Sequence, residues 1–255
     1  MESFNAYTES KSGVRIANEF RDNLIIDRYH PCFLNMRSSK LKHMCSENSE
    51  DVATWNVFHS LRQIKPTVWL PTLFKTAFPN TKPPILKDST ITQLWKSIKA
   101  PTSLLENGDE GDSEIDIFIK SPDWVWVIEA KLKSDISSRT TTRNERDQIL
   151  RNIDVGSYYS GVREFYFSLL VLDEKKTPKG AAKINEYESL ELPRALLRDH
   201  RPDQLSNLKG VSMITWQDLA DVLSHANETN PKEDEKIYSS RSLAWLGDKK
   251  YIVKH

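Results

Sequence analysis

Two neighbouring apolar runs of this chain carry charged side chains where a buried strand is expected to have none. The first run, residues 114–119, contains Asp116, and the second, residues 125–131, contains Glu129 and Lys131. Residues two apart in an extended strand point to the same face, so Glu129 and Lys131 project together, with Asp116 beside them if the runs pair as a hairpin. Clustered carboxylates repel unless a cation lies between them, and such hard oxygen ligands bind Mg²⁺ or Mn²⁺. This chemistry suits phosphodiester hydrolysis.

The alternative interpretation is a surface hairpin whose charges form ordinary salt bridges. Val125 and Val127 lie on the same face of the strand as Glu129, which argues against a solvated face. Unpaired buried charge costs several kcal/mol, and metal coordination would compensate that cost. The sequence therefore favours a metal site over a surface hairpin.

The arrangement resembles the active-site signature of the PD-(D/E)xK nuclease superfamily. Asp116 matches the first acidic residue, and the run Glu129-Ala130-Lys131 matches the E-x-K triplet on the next strand. The proline that usually precedes the first acidic residue is absent, because Ile115 stands before Asp116. The resemblance implies a metal-dependent nuclease with a restriction-endonuclease-like fold.

The same resemblance implies roles for these residues. Asp116 and Glu129 would hold a Mg²⁺ or Mn²⁺ ion, with the backbone carbonyl of Ala130 as a further oxygen ligand. The ion would lower the pKa of a bound water and offset charge on the phosphate. Lys131 would orient or deprotonate the attacking water, or stabilise the pentacovalent phosphorane. The base role would require a lowered lysine pKa.

Two further residues extend the predicted site. Similar nucleases often carry a glutamine or lysine on the helix after the site, and Gln148 is the candidate here, although an exposed polar helix face would look the same. Many members also bring a glutamate from an N-terminal helix to the metal. Glu50, which opens a predicted helix, is the candidate ligand, and Glu19 competes with it. Either acid could instead be an ordinary surface residue.

The nucleic-acid contacts are expected from a polar connector and from the helix that follows it. Residues 134–143 are rich in Ser, Thr and Arg, and Arg139 and Arg143 are the predicted contacts to the phosphate backbone, together with Arg151 on the helix. The formal net charge of the 255-residue chain is zero. A phosphate-binding surface must therefore come from local clustering of cations.

The order of elements predicts an α/β fold in which a central mixed β-sheet is flanked by helices, after an N-terminal helical region. We expect one domain over residues 1–255, divided into a mainly helical part (1–100), a sheet-containing core (101–226) and a C-terminal extension (227–255). The predicted helices cover residues 12–29, a segment beginning at 49, and residues 68–78, 90–98, 144–159 and 216–226; the predicted strands cover residues 102–106, 115–119, 125–132, 165–172 and 211–215. Residues 173–209 look like a charged insertion, and residues 175–183 and 227–236 look like loops.

The prediction is a Mg²⁺- or Mn²⁺-dependent nuclease that acts on DNA, with restriction, defence or repair as the setting implied by the resemblance. An RNA nuclease, or an inactive nucleic-acid-binding or scaffold protein with the same fold, stays open, as do a homodimer and the choice between endonuclease and exonuclease. Two cysteines give no disulfide framework, and no apolar run approaches the ~20 residues of a membrane span. We expect a cytoplasmic protein without a signal peptide or membrane partner.

Overall fold

A computed structural model describes residues 7–101, 111–139, 146–199 and 201–253. The strands are β1 (Tyr7–Glu9), β2 (Arg15–Ala17), β3 (Ile91–Ile98), β4 (Ser113–Lys120), β5 (Trp124–Ala130), β6 (Glu164–Val171) and β7 (Leu208–Thr215). The α-helices are α1 (Ser38–His43), α2 (Glu50–Thr54), α3 (Pro66–Ala77), α4 (Gln148–Ser160), α5 (Pro178–Tyr187), α6 (Glu191–Leu196), α7 (Trp216–Thr229) and α8 (Glu233–Asp248). Helix α2 continues as a π-helical turn over Trp55–His59, and 3₁₀ turns cover Phe20–Asn23 and Pro31–Asn35.

Strands β3 to β7 form one mixed sheet in the order β3-β4-β5-β6-β7. The pairs β3–β4 and β4–β5 are antiparallel, whereas β5–β6 and β6–β7 are parallel. Parallel neighbours need a crossover connection, and α4 supplies it between β5 and β6. The expected α/β architecture, a central mixed sheet flanked by helices, is confirmed.

The central position of β5 explains its nearly continuous apolar sequence. All seven of its residues are buried, because helices cover both faces of the sheet. On one face Trp126 and Ile128 belong to a core that includes residues of α2, α3 and α7. On the other face Val125 and Val127 pack with Ile149 and Ile153 of α4. Glu129 therefore lies in a layer that water scarcely reaches.

Two predicted N-terminal helices are wrong. Residues 12–29 form strand β2 and a 3₁₀ turn, because tertiary contacts replace helical hydrogen bonds there: the Asn23 side chain donates to the carbonyls of Met44 and Cys45 at 2.9 and 2.8 Å. Residues 90–98 form strand β3, which pairs with β4 on both sides of Trp95. The sheet therefore begins inside the segment 1–100 that we expected to be mainly helical, whereas the short strand predicted at residues 102–106 lies outside the described residues.

The charged segments contain more helix than the sequence indicated. Helices α5 and α6 occupy the presumed insertion 173–209, and α8 occupies most of the C-terminal extension. Pro178 stands in the first turn of α5, and three acidic residues stand in the first turn of α8, both of which suit a helix N-terminus. The helices expected at 68–78 and 216–226 and the last four strands of the sheet are present with modest changes of boundary. Of the helices in the described ranges, none combines the length and apolarity needed to cross a membrane.

Candidate functional site

Asp116 and Glu129 lie side by side where β4 and β5 diverge. The last ladder pair of these strands is Ile117 with Ile128, so the next step places Asp116 opposite Glu129. Beyond this pair, a side-chain hydrogen bond replaces the backbone pairing: Asp116 Oδ2 accepts from the Ala130 amide at 2.9 Å. Both carboxyls are thus fixed at the same end of the sheet, as the hairpin prediction required.

Lys131 points into the same group of oxygens. Its ammonium Nζ donates to Glu129 Oε1 at 2.7 Å and to the Ala130 carbonyl at 2.9 Å, and it lies 3.3 Å from Glu50 Oε1. Only 6% of Lys131 and 3% of Glu129 is exposed, so these charges are almost wholly removed from solvent. The ion pair is therefore part of the interior and not a surface salt bridge.

Glu50 enters the cluster from the first residue of α2. The Ser49 hydroxyl caps this helix by accepting from the Val52 amide, and Glu50 follows it directly. Glu50 Oε2 accepts from the Leu132 amide and from the Ser134 hydroxyl, each at 3.1 Å. The competing candidate, Glu19, is an exposed residue that pairs with Arg21. Geometry thus selects Glu50 as the N-terminal acid of the cluster.

Helix α4 holds Glu129 through two amide side chains. Gln148 Nε2 donates to Glu129 Oε1 at 2.5 Å, and Asn152 Nδ2 donates to Glu129 Oε2 at 2.8 Å. Asp147 caps the helix by accepting from the Leu150 amide. The helix therefore begins at Gln148, and Gln148 and Asn152 lie in its first two turns. Gln148 was among the predicted site residues. Asn152 was not, although its spacing of four residues puts it on the same helix face.

The electrostatics of the cluster reflect crowded carboxylates. Burial raises the pKa of Asp116 well above its usual value, and the negative charges of Glu129 and Glu50 raise it further. Burial also raises the pKa of Glu50. For Lys131, burial lowers the pKa, but the carboxylates of Glu129, Glu50 and Asp116 outweigh it and the net shift is upward. The lowered lysine pKa expected for a base is therefore not found in this arrangement.

The donor set suits a hard divalent cation. Asp116, Glu129, Glu50 and the Ala130 carbonyl offer only oxygen, and three carboxylates face one ammonium. Within the described ranges, no three His, Cys, Asp or Glu side chains already stand in a metal-binding arrangement. The Lys131 ammonium instead bonds to oxygens of Ala130, Glu129 and Glu50. An ion that bound these oxygens would have to replace some of those hydrogen bonds.

The three predicted nucleic-acid contacts differ in their surroundings. Arg139 is exposed at the edge of the described connector, and Arg143 lies outside the described residues. Arg151 is half-buried, and its guanidinium donates to the Gly111 carbonyl at 2.8 Å, just before β4. Arg151 therefore braces the chain that leads into the Asp116 strand.

Trp95 is a neighbour of the site that the sequence did not indicate. It occupies the one gap in the β3–β4 register, opposite Asp116, and its backbone is left-handed with φ of +52°. A bulky aromatic residue rarely adopts this conformation, and such strain is concentrated at functional sites. The indole stacks on Trp55 with ring centroids 5.5 Å apart. The stack holds Trp95 at this gap, and β3 and β4 pair on both sides of it.

Comparison of the chain with models of protein families, with curated proteins and with solved structures finds no match. The functional interpretation accordingly depends on the geometry of the side chains themselves.

Proposed function

We propose that this protein is a metal-dependent nuclease that hydrolyses phosphodiester bonds in DNA. The observation that carries the proposal is the convergence of Asp116, Glu129, Glu50 and Lys131, from three separate chain segments, at one end of the β4–β5 pair. A purely structural ion pair needs one carboxylate for one ammonium. The excess of acids beside an amine is the composition that metal-assisted phosphate chemistry uses.

The residues that would hold Mg²⁺ or Mn²⁺ are Asp116, Glu129 and Glu50, together with the Ala130 carbonyl. A bound ion would supply activation of a water and compensation of negative charge on the phosphate. Gln148 and Asn152 keep the Glu129 carboxylate in place through its two oxygens. Lys131 stays protonated and donates to a phosphate oxygen or to the attacking water. This assignment follows from the upward shift of its pKa.

Replacement of Glu129 by alanine tests the proposal. Purified wild type is expected to cleave DNA in the presence of Mg²⁺ or Mn²⁺. Glu129→Ala is expected to lower the cleavage rate by at least about 10²-fold, which is the lower end of the effect of removing a group that acts on the reacting atoms. The matched control is Glu186→Ala, which removes an exposed acid paired with Lys183 on α5. Gel assays of cleavage under single-turnover conditions measure both variants. Undiminished cleavage by Glu129→Ala would contradict the assignment.

The substrate class is tested in the same assay. Matched single- and double-stranded DNA and RNA oligonucleotides, each with Mn²⁺, separate a deoxyribonuclease from the RNA alternative. A role in restriction, defence or repair, a cytoplasmic location and a homodimeric state belong to the proposal as expectations from the resemblance and the cysteine usage. An inactive scaffold would show no Asp116-dependent binding of a divalent ion. Calorimetric titration of wild type and Asp116→Asn with Mn²⁺ measures this binding.

A further inference from the structure

Three chain segments meet beside the site, next to residues 47 and 48. Strand β2 runs along this segment, with the Glu47 amide donating to the Arg15 carbonyl at 2.9 Å. The turn after β5 approaches it where Lys133 Nζ donates to Asn48 Oδ1 at 2.6 Å. The chain after α8 closes the group, because the Tyr251 hydroxyl donates to the Glu47 carbonyl at 2.6 Å.

Each of the three segments brings a cation to this place. Arg15 and Lys133 are exposed, and Lys249 is half-buried, with its Nζ 3.8 Å from Glu47 Oε2. Glu47 lies within ion-pair distance of Lys249, and its Oε1 also accepts from the Arg15 amide at 2.8 Å. Arg15, Lys133 and Lys249 are called the basic surface below.

The cations of the basic surface repel one another. Burial lowers the pKa of Lys249, and the charges of Arg15 and Lys133 lower it too, whereas Glu47 and Asp248 raise it. Three cations thus face two acids, which leaves the surface a formal excess of one positive charge. In a chain whose formal net charge is zero, such an accumulation is local. A polyanion bound here would supply the missing negative charge.

The basic surface is joined to the proposed active site by the covalent chain. Lys133 lies two residues after Lys131, and Asn48 lies two residues before Glu50. Fully extended chain advances about 3.3–3.6 Å per residue, and the chain bends at Leu132 and Lys133, so these two residues span at most about 7 Å, roughly the spacing of successive phosphates in a strand. A strand whose scissile phosphate reached Lys131 would have its neighbouring phosphates within reach of Lys133.

We propose that Arg15, Lys133 and Lys249 form the surface that holds the phosphate backbone of the nucleic-acid substrate next to the cleavage site. The proposal deepens the nuclease assignment and rests on it for the identity of the ligand. It differs from the sequence-based expectation, which placed the backbone contacts on Arg139, Arg143 and Arg151. Contacts to phosphates depend on the charge and spacing of the backbone and not on the bases, so this surface should bind DNA of any base sequence equally well.

The test is equilibrium binding of a fluorescently labelled 20-base-pair DNA duplex in EDTA, where no cleavage occurs. Lys133→Gln/Lys249→Gln is expected to bind on the order of tenfold more weakly than wild type and to lower the slope of log affinity against log salt by about 2, one unit for each phosphate contact. The matched control, Lys120→Gln/Lys209→Gln, removes two lysines from the opposite end of the sheet. The control should bind like wild type.

A third variant, Arg15→Gln, changes one exposed side chain, so its result does not depend on a folding defect of the double variant. It should lower the slope of log affinity against log salt by about 1. Equal affinities for wild type and Lys133→Gln/Lys249→Gln overturn the basic surface, even if wild type cleaves DNA. Weakened binding by the variant supports the surface, even if no metal elicits cleavage and the nuclease proposal fails. Absence of duplex binding by wild type overturns the surface.

Discussion

Every carboxyl group of the candidate site is held by a donor that the chain supplies. Asp116 accepts from the Ala130 amide, Glu50 from the Leu132 amide, and Glu129 from the amide groups of Gln148 and Asn152. Two of these donors are backbone groups at the end of β5, so they cannot rotate away. Such support holds functional groups close to one geometry before any ligand arrives.

Asp116 gives a prediction at the residue scale because its raised pKa has a cost for folding. Asp116 binds its proton more tightly in the folded than in the unfolded chain. The folded state therefore carries more protons between the ordinary aspartate pKa of about 3.9 and the raised value, and stability falls as pH rises through that window. Asp116→Asn should flatten this dependence.

In EDTA at pH 7 we expect Asp116→Asn to raise the melting temperature by roughly 2–4 °C, the shift that about 1 kcal/mol causes in a chain of this size. The asparagine keeps an oxygen for the Ala130 amide and removes the repulsion from Glu129. Calorimetric melts from pH 4 to 8 measure the effect. Asp123→Asn, an exposed acid paired with Lys87, is the control and should follow wild type. An Asp116→Asn melt that follows wild type at every pH would refute the crowding of carboxylates.

The residue scale also shows what the sequence could reveal of the site. Asp116, Glu129 and Lys131 were predictable because charges in apolar strands are conspicuous, and strand alternation fixes which side chains share a face. Asn152 was not separable from an ordinary polar helix face. The left-handed backbone of Trp95 had no signal, because it depends on the register between β3 and β4.

At the scale of elements, α4 approaches the sheet closely enough to place its amides on Glu129. Gly156 allows this approach: a Cβ atom there would lie 2.6 Å from Phe165 Cζ and 3.3 Å from Val127 Cγ2. Phe165 is fully buried, so its ring has no free space into which to move. The distance between helix and sheet is thus set by the missing side chain.

We therefore expect Gly156→Ala to destabilise the protein, although alanine favours helix by about 1 kcal/mol. Overpacking in a filled core costs roughly 1–3 kcal/mol, and the gap of 2.6 Å puts this case toward the upper end. Urea unfolding measures the change in free energy. Gly111→Ala is the control, because nothing lies within 4 Å of its Cβ position. Stabilisation by Gly156→Ala would mean that the helix can shift outward freely.

The elements that the sequence misassigned share one property. Residues 90–98 became a strand, and residues 12–29 a strand with a turn, because their partners are remote in the chain: β3 pairs with β4, and Asn23 bonds to residues 44 and 45. Residues 175–183 and 227–236 looked like loops because they are rich in Pro and Lys, although they contain the starts of helices α5 and α8. By contrast, β5 was recognisable from its buried apolar run. The local sequence pattern thus identified elements such as β5, whose residues are all buried, and missed elements whose structure depends on partners remote in the chain.

At the scale of the whole molecule, the C-terminal helix is tied to the N-terminal helices. The Ser242 hydroxyl donates to the Asn56 carbonyl at 3.1 Å, and Glu235 Oε2 accepts from the Lys65 amide at 3.1 Å. Trp245 of α8 belongs to the same buried core as α2, α3 and β5. These contacts join the C-terminal helix to the N-terminal part of the chain, and the single domain over residues 1–255 stays a prediction.

Trp245→Ala tests that unity. Removing a buried tryptophan costs about 3–5 kcal/mol, and the loss should shift a single unfolding transition that includes the sheet. Ile237→Ala removes an exposed side chain from the same helix and should change stability by less than about 0.5 kcal/mol. Near-ultraviolet circular dichroism and calorimetry follow the melt. A separate early transition in Trp245→Ala, with the remainder unchanged, would show that the C-terminal part folds by itself.

The basic surface has a practical consequence for handling the protein. The chain has a formal net charge of zero, so copies lack the mutual repulsion that keeps many proteins dispersed. Cations gathered on one side then attract acidic sides of other copies when little salt is present. Solubility should be lowest in dilute buffer near neutrality and should improve with added sodium chloride, so stocks and crystallisation trials are best begun in moderate salt.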